Sequence, residues 1–592
     1  MRGGKRASKI ILLKLRKPYN IQKIRADFRF STSKGTSPAL SSESASDGTS
    51  PKPPRDWSMK NSRKSAFILV ALPSLLTWAT QTHAEGPLIM GYYPNWARYS
   101  GGGNFLPQMI PDGVQEVVYA FAQFGSCFRK VDAQHPDGYA TEADPTYCIA
   151  SPFDPKLGYN PYCMAGTQDY KLSTTDAGAD YTWIQGQDYP MSTPRGMSCG
   201  WGSGITDALN RAAVIKARAV VSIGGWSLSA PIRQAILPAN QGVAIQSIVD
   251  WLIKAQTGAD KKWDGVDIDW EPNGNQWTLK AASPLNRTVT KTDLINYLSF
   301  LTSLRTRLCQ EKNKGTISGC EVRIAMTANP QAIVAANKTY GGPYWKKVAD
   351  SIDSINMMTY DYKGPFGQAY ATCTSPYTPN DNCTGFNGPL LIDNSTPKAY
   401  DSAWSIQGSL KALQPYPFPR EKVGIGIANY GRAFALPSMP TPSSESPYLA
   451  FQSPNGYSAG SCSILNPPDD IPAPFDGYNG EITNRTLIRG INQYGRKTGY
   501  NFWPKYRYYG NAGEFYSVAD KEGASPPCLT TFDLAATAAQ KMKYAIKNGL
   551  AGIIIWDLSQ DVRPGDIDQQ TGKPVDMAKK STLYGLINYK KF

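Results

Sequence analysis

Eight short apolar runs, each about the length of one strand, punctuate this 592-residue chain. They are Leu88–Tyr93, Glu116–Phe124, Ala219–Ile223, Gly265–Trp270, Arg323–Thr327, Ser354–Thr359, Val423–Ala428 and Gly552–Trp556. Largely continuous apolarity over so few residues suits strands covered on both faces, as in a parallel sheet. Parallel neighbours need crossovers of a dozen or more residues, commonly helices. Helical patterns lie between several of the runs, at Ile205–Ala217, Leu294–Leu308 and Ala535–Lys547. The expected fold class is therefore α/β, with eight strand-then-helix units closing into a (β/α)8 barrel rather than an open sheet.

The fourth run differs from the rest. In Asp264-Gly265-Val266-Asp267-Ile268-Asp269-Trp270-Glu271, acids alternate with Val, Ile and Trp. The two-residue period of a strand puts Asp267, Asp269 and Glu271 on one face, with successive Cα atoms about 6.5–7 Å apart. Like charges that close raise at least one pKa, and a protonated carboxyl beside ionised ones is a general acid. An EF-hand needs Gly at its sixth position and Glu at its twelfth. Counted from Asp267 these are Pro272 and Thr278, so that reading is excluded. Two histidines, His83 and His135, leave little for a zinc cluster or a Ser-His-Asp triad. Carboxylates and tyrosines are left to move protons, and neither a metal nor a cofactor is expected.

Other segments fall around the acids in order. They are Gly91-Tyr92-Tyr93-Pro94-Asn95-Trp96, Tyr119-Ala120-Phe121, Ser222-Ile223-Gly224-Gly225-Trp226, Met358-Thr359-Tyr360-Asp361, Asn429-Tyr430-Gly431-Arg432 and Ile555-Trp556-Asp557. Together with D-x-x-D-x-D-x-E, and over roughly residues 87 to 575, the chain resembles glycoside hydrolase family 18, the chitinases, and among them the large bacterial secreted type. The resemblance implies a TIM barrel with a small α+β insertion domain between strand 7 and helix 7. It also implies hydrolysis of the β-1,4 linkages of chitin with retention, the substrate's acetamido group serving as nucleophile. Carried onto this sequence, Glu271 is the general acid. Asp269 orients the acetamido N–H, Asp267 shares its proton or hydrogen bond, and Tyr360 bonds the acetamido oxygen. Met358 and Asp361 stand beside the reacting sugar, Trp556 lies under it, and Trp96, Trp226 and Phe366 line the cleft. Tyr92, Tyr430 and Arg432 are polar partners; Ser222, Gly224 and Gly225 are structural, and Asp264 anchors its strand. Pro272 and Asp557 depart from frequent family residues without removing a proton donor. An endo-β-N-acetylglucosaminidase has the same chemistry and stays open. A chitin-binding lectin on this barrel typically loses the acid that Glu271 retains.

The ends and intervals set the expected domains. Residues 59–84 read as a signal peptide: Lys60, Arg63 and Lys64, an apolar run from Ala66 to Leu76, then Thr82-His83-Ala84. That run is shorter than the about 20 residues of a membrane span. Residues 1–58 form a basic disordered extension; either translation starts at Met59 or the extension is a genuine leader. They hold 13 Lys and Arg against 4 Asp and Glu. With the three cations after Met59, they account for all but +3 of the chain's +15. The basic charge thus gives no reason to invoke nucleic acid. Residues 85–434 and 529–592 are assigned to the barrel and 435–528 to the insertion. All 10 cysteines follow Ala84, as suits disulfides in an exported chain. Cys309/Cys320 and Cys373/Cys383 are expected as local pairs, Cys462/Cys528 as a longer one, with two more among Cys127, Cys148, Cys163 and Cys199. The expected product is a secreted, extracellular monomer, with the periplasm as a stage in transit and no membrane after signal cleavage, whose partners are chitin and N-acetylglucosamine oligomers.

Overall fold

The computed structural model describes residues 87–99, 104–124, 171–175, 177–180, 204–226, 228–272, 289–365, 383–394, 403–440, 448–449, 480–491, 506–519 and 527–592. These lie in one compact unit, Gln81–Phe592. The leader and signal-peptide expectations fall outside the described residues, as do Phe366 and Cys127, Cys148, Cys163, Cys199, Cys373 and Cys462.

Eight parallel strands close a ring among the described residues. They are β1 (Leu88–Pro94), β2 (Glu116–Phe124), β4 (Arg218–Gly224), β5 (Gly265–Asp269), β6 (Glu321–Thr327), β7 (Ser354–Met358), β8 (Val423–Ala428) and β14 (Gly552–Trp556). β1 shuts the ring by pairing with β14 on one side and β2 on the other. A short β3 (Leu172–Thr174) adds antiparallel to β2. Each barrel strand matches a predicted run to within two residues at either end. The predicted helices fall on Gly204–Val214, Lys291–Asn313 and Ala535–Lys547. Local chemistry sets several ends. Thr290 and Asp293 form a reciprocal capping box at the start of Lys291–Asn313. Asn329 caps Pro330–Tyr340, and Gly341 ends it at φ +82°.

One large core fills the space between strands and helices, with Val221, Val266, Ile268, Ile324, Ile355 and Ile425 buried there. A smaller cluster lines the barrel interior: Met90, Tyr92, Val118, Ala120, Phe121, Val220 and Ile554. Fully burying one such aliphatic side chain contributes about 1.5–3 kcal/mol, so strands covered on both faces stay apolar unless chemistry demands otherwise.

Beyond β8 the chain builds a second, antiparallel sheet. Its order is β10 (Glu481–Thr483), β9 (Tyr430–Ala435), β13 (Cys528–Phe532), β12 (Glu514–Ala519) and β11 (Arg507–Tyr509). β9 and β13 pair directly, so this sheet reaches past both edges of the 435–528 interval assigned from sequence. Cys309 and Cys320 are disulfide-bonded to each other. Cys383 and Cys528 each take part in a disulfide with a cysteine outside the described residues. Among the described residues, no helix is long and apolar enough to cross a membrane.

Candidate active site

β5 sits between β4 and β6, with Ser222 and Gly224 in register with Asp267 and Asp269. Asp267 is fully buried, and its Oδ2 accepts hydrogen bonds from Tyr92 Oη at 2.9 Å and Ser222 Oγ at 2.8 Å. Burial pushes the Asp267 carboxyl up, while both hydroxyls and the Arg323 guanidinium pull it back. Asp269, also buried, is held well above the carboxylate range by burial and then by the charges of Glu271 and Asp267. Glu271 lies just past the strand end; burial and the neighbouring Asp361 carboxylate push it up to about 8. A row whose lowest member is braced by donors and whose last stays protonated near neutrality is a proton-donating device.

The glycines after Ser222 let this row form. Gly224 adopts φ +110°, and a Cβ there would meet the Asp269 carbonyl oxygen at 2.3 Å. Gly225 N–H donates to that same oxygen at 2.9 Å, and a Cβ on Gly225 would press into the Phe121 ring. Ser222 is more than spacing, because its hydroxyl holds a carboxylate of the acid row. Sequence reasoning missed Ser229. Its Oγ accepts from Glu271 N–H at 2.8 Å and donates to the carbonyls of Gly225 and Asp269 at 2.9 and 3.1 Å. No periodicity or motif marks a lone serine in a loop. Asp264 takes the anchoring place expected of it at the far strand end, accepting from Ala219 N–H at 2.8 Å.

Aromatic rings gather beside the row. Trp556 packs against Tyr92, Trp96 and Phe121 with centroids 5.6, 6.2 and 5.5 Å away. Phe121 belongs to a segment the sequence singled out, yet its place beside Trp556 was not foreseen. Trp226, beyond β4, keeps 49 % of its surface exposed. Tyr92, expected as a substrate contact, is 2 % exposed and donates its hydroxyl to Asp267, bracing the acid row.

A separate group forms the opposite side. Asp361 adopts φ +57°, a left-handed conformation that Asp tolerates better than most residues. Its carboxylate accepts from Tyr430 Oη and Arg432 Nε, each at 2.7 Å. Tyr430 and Arg432 are themselves buried, so both reach Asp361 rather than open space. Asn387, also missed, ties the group together: its Oδ1 accepts from Asp361 N–H at 2.9 Å and its Nδ2 donates to the Tyr430 carbonyl at 2.8 Å. It comes from a loop between β7 and β8 that carries no recognisable pattern. Tyr360 lies edge-on to Tyr430 at 6.3 Å, and burial holds its hydroxyl protonated. Met358 and Tyr360 are partly buried against the interior cluster. Among the described residues, no group of three His, Cys, Asp or Glu side chains is arranged to hold a metal ion.

The comparisons with known proteins agree with this architecture. The model of glycosyl hydrolases family 18 matches residues 88–561, and the chain belongs to that family. It is 25 % identical over 510 residues to Chitinase A1 of Niallia circulans, covering 84 % of this chain and 60 % of that protein. It is 25 % identical over 427 residues to Chitinase B of Serratia marcescens, covering 63 % and 72 % of the two. The chain spans about half the length of a probable endochitinase of Caenorhabditis elegans. The fold is shared with Chitinase ChiA74 from Bacillus thuringiensis, at TM-score 0.57 and 20 % identity, over 85 % of this chain and 70 % of that one.

Proposed function

We propose that the protein is a secreted chitinase, cleaving β-1,4 bonds between N-acetylglucosamine units with retention through acetamido participation. The observation that carries this reading is the graded row: Asp267 braced by two hydroxyls, Asp269 squeezed between acids, and Glu271 at about 8. Membership of family 18 and relatives named chitinases support the same reaction class.

Glu271 protonates the glycosidic oxygen as the C1–O bond breaks. The 2-acetamido carbonyl oxygen attacks C1 from the other face, giving a cyclic oxazolinium. Asp269 accepts the acetamido N–H and balances the growing positive charge, and its titration is coupled to that of the Asp267 carboxylate behind it. Tyr360, kept protonated, donates to the acetamido oxygen. Glu271, now a carboxylate, draws a proton from water as that water opens the ring at C1. Asp361 and Met358 flank the sugar, and Trp556 lies under it; Trp96 and Trp226 extend the binding track. The antiparallel sheet supplies a wall through Tyr430 and Arg432, as the insertion of a deep-cleft enzyme would. The working form is a monomer that needs no metal.

Wild type and Glu271→Gln are to be incubated with N-acetylglucosamine oligomers and with an N-glycoprotein, and the first-formed anomer read by NMR. We expect β-anomer disaccharide from the oligomers by wild type alone. Release from the glycoprotein alone indicates the endo-β-N-acetylglucosaminidase. Binding of oligomers without cleavage by wild type indicates a lectin and sinks the proposal.

A further inference from the structure

Beneath the acid row the barrel interior contains a charge cluster with no part in the chemistry above. Arg323 stands on β6 in register with Asp267 of β5, so both side chains leave the same face of the sheet. Arg323 is 3 % exposed, and Nη1 donates to Ser354 Oγ on β7 at 3.0 Å. Nη2 pairs across the barrel with Glu116 of β2 at 2.6 Å and with Glu321 on its own strand. Arg218 of β4 completes the cluster, 3.3 Å from Glu116 and 2.8 Å from Glu321. Four buried or half-buried charges are costly to keep where apolar side chains would fill the same space.

We infer that Arg323 is a positioning residue that acts through Asp267, its fixed positive charge keeping the deepest carboxyl of the row ionised so that the shared proton stays with Asp269 and Glu271. This rests on the function proposed above. Asp267 is faced by Tyr92 from β1, Glu116 from β2, Ser222 from β4, Asp269 on its own strand, Tyr360 beyond β7 and Tyr297 from the helix Lys291–Asn313. None of these brings a positive charge; Arg323 does. Arg323 in turn is faced by Glu116, Glu321, Ser354, Met90 and Asp353. Burial pushes Glu116 up to about 7, so in mild acid Glu116 turns neutral and leaves more of Arg323's field for Asp267. The cluster therefore opposes protonation of Asp267 at the pH where it would otherwise occur.

The test reads two quantities in the full-length protein. One is the acidic limb of kcat/KM against N-acetylglucosamine oligomers. The other is the pH midpoint of the carboxyl infrared band that vanishes in Asp267→Asn, which is readable even without turnover. Arg323→Gln removes the cation, so both are expected to move up by about 0.5–1 pH unit, given that a close opposite charge lowers a carboxyl by about 1–3 units. Glu321→Gln, at a side chain 23 % exposed, strips a negative charge from the same cluster. It is expected to move both down, by about 0.2–0.5 unit. Arg323→Lys keeps the charge and is expected to stay within about 0.2 unit of wild type. If Arg323→Gln fails to fold, Glu321→Gln decides the sign alone. Midpoints that coincide with wild type, or Gln variants that shift in the same direction, overturn the inference. An inactive wild type with the expected infrared shifts sinks the proposed function and leaves this inference standing.

Discussion

The two sides of the site are held by different architectures. The acid row is framed by parallel strands of a closed ring, its key hydroxyls reaching Asp267 from adjacent β4 and across the interior from β1. The Asp361 side is assembled from three sources: the turn after β7, the antiparallel strand β9 and the loop carrying Asn387. The row contains carboxyls whose proton affinity burial raises, with hydroxyl donors as braces. The opposite side contains a carboxylate locked to a buried guanidinium. A closed ladder fixes side-chain heights to within a residue repeat, which suits a proton donor that must meet one oxygen. A sheet joined through a few hydrogen bonds can hold a sugar in place while tolerating more movement.

If that contrast is right, perturbing the row should damage turnover, and perturbing the other side should damage binding and stability. The largest effect is expected from Glu271→Gln, about 10²–10⁴-fold in kcat with oligomer binding retained, measured by steady-state kinetics and calorimetry. Gly224→Ala comes next. Its φ of +110° and the 2.3 Å approach of the Asp269 carbonyl leave no room for a methyl group. A loss of about 3 kcal/mol or more, with turnover falling alongside, is expected in denaturant melts. Equal stability in that variant would break the idea that the row depends on close strand approach.

The pH dependence of stability separates the two sides further. Glu271 is raised from 4.5 to about 8 on folding, so the folded state binds its proton more tightly than the unfolded chain. That contribution is complete below pH about 4.5 and is lost as pH rises through about 8. Relative to wild type, Glu271→Gln should gain on the order of 1–3 kcal/mol between pH 5 and 9, since the residue is partly exposed and water trims the full shift. Thermal melts at both pH values check it, and the basic limb of kcat should fall near the same pH 8. On the other side, Asp361→Asn removes the carboxylate nearest to buried Arg432 and leaves it Glu481 at 3.7 Å. Because the Asp361 side chain is 35 % exposed, the expected cost is about 1–2 kcal/mol, below the range for a fully buried pair. KM should rise more than kcat falls. The smallest effect, about 1 kcal/mol with kcat nearly unchanged, is expected for Tyr430→Phe, which deletes one 2.7 Å hydrogen bond.

Much of this was legible without coordinates, and unevenly so. The barrel strands could be read because burial on both faces writes itself as an unbroken apolar run, and period two put the acids in one row. The antiparallel sheet was harder. Glu481–Thr483 is three residues long, too short for any pattern to rise above chance. The sheet's interior strands β9 and β13 lay almost wholly outside the interval assigned from sequence. Ser229 and Asn387 escaped for another reason: each acts through hydrogen bonds to residues distant in the chain.

By itself, then, the sequence determined the strand count, the order of the motifs and the residue types of the acid row, because these follow from periodicity and local composition. Tertiary structure decided what each acid experiences. Tyr92 is 175 residues from Asp267 in sequence and 2.9 Å from it in space, and no local rule could pair them. The same closure set Arg323 beside the row and turned Tyr430 and Arg432 inward to Asp361. Proton affinity is a property of surroundings, and surroundings exist only once the ring has closed.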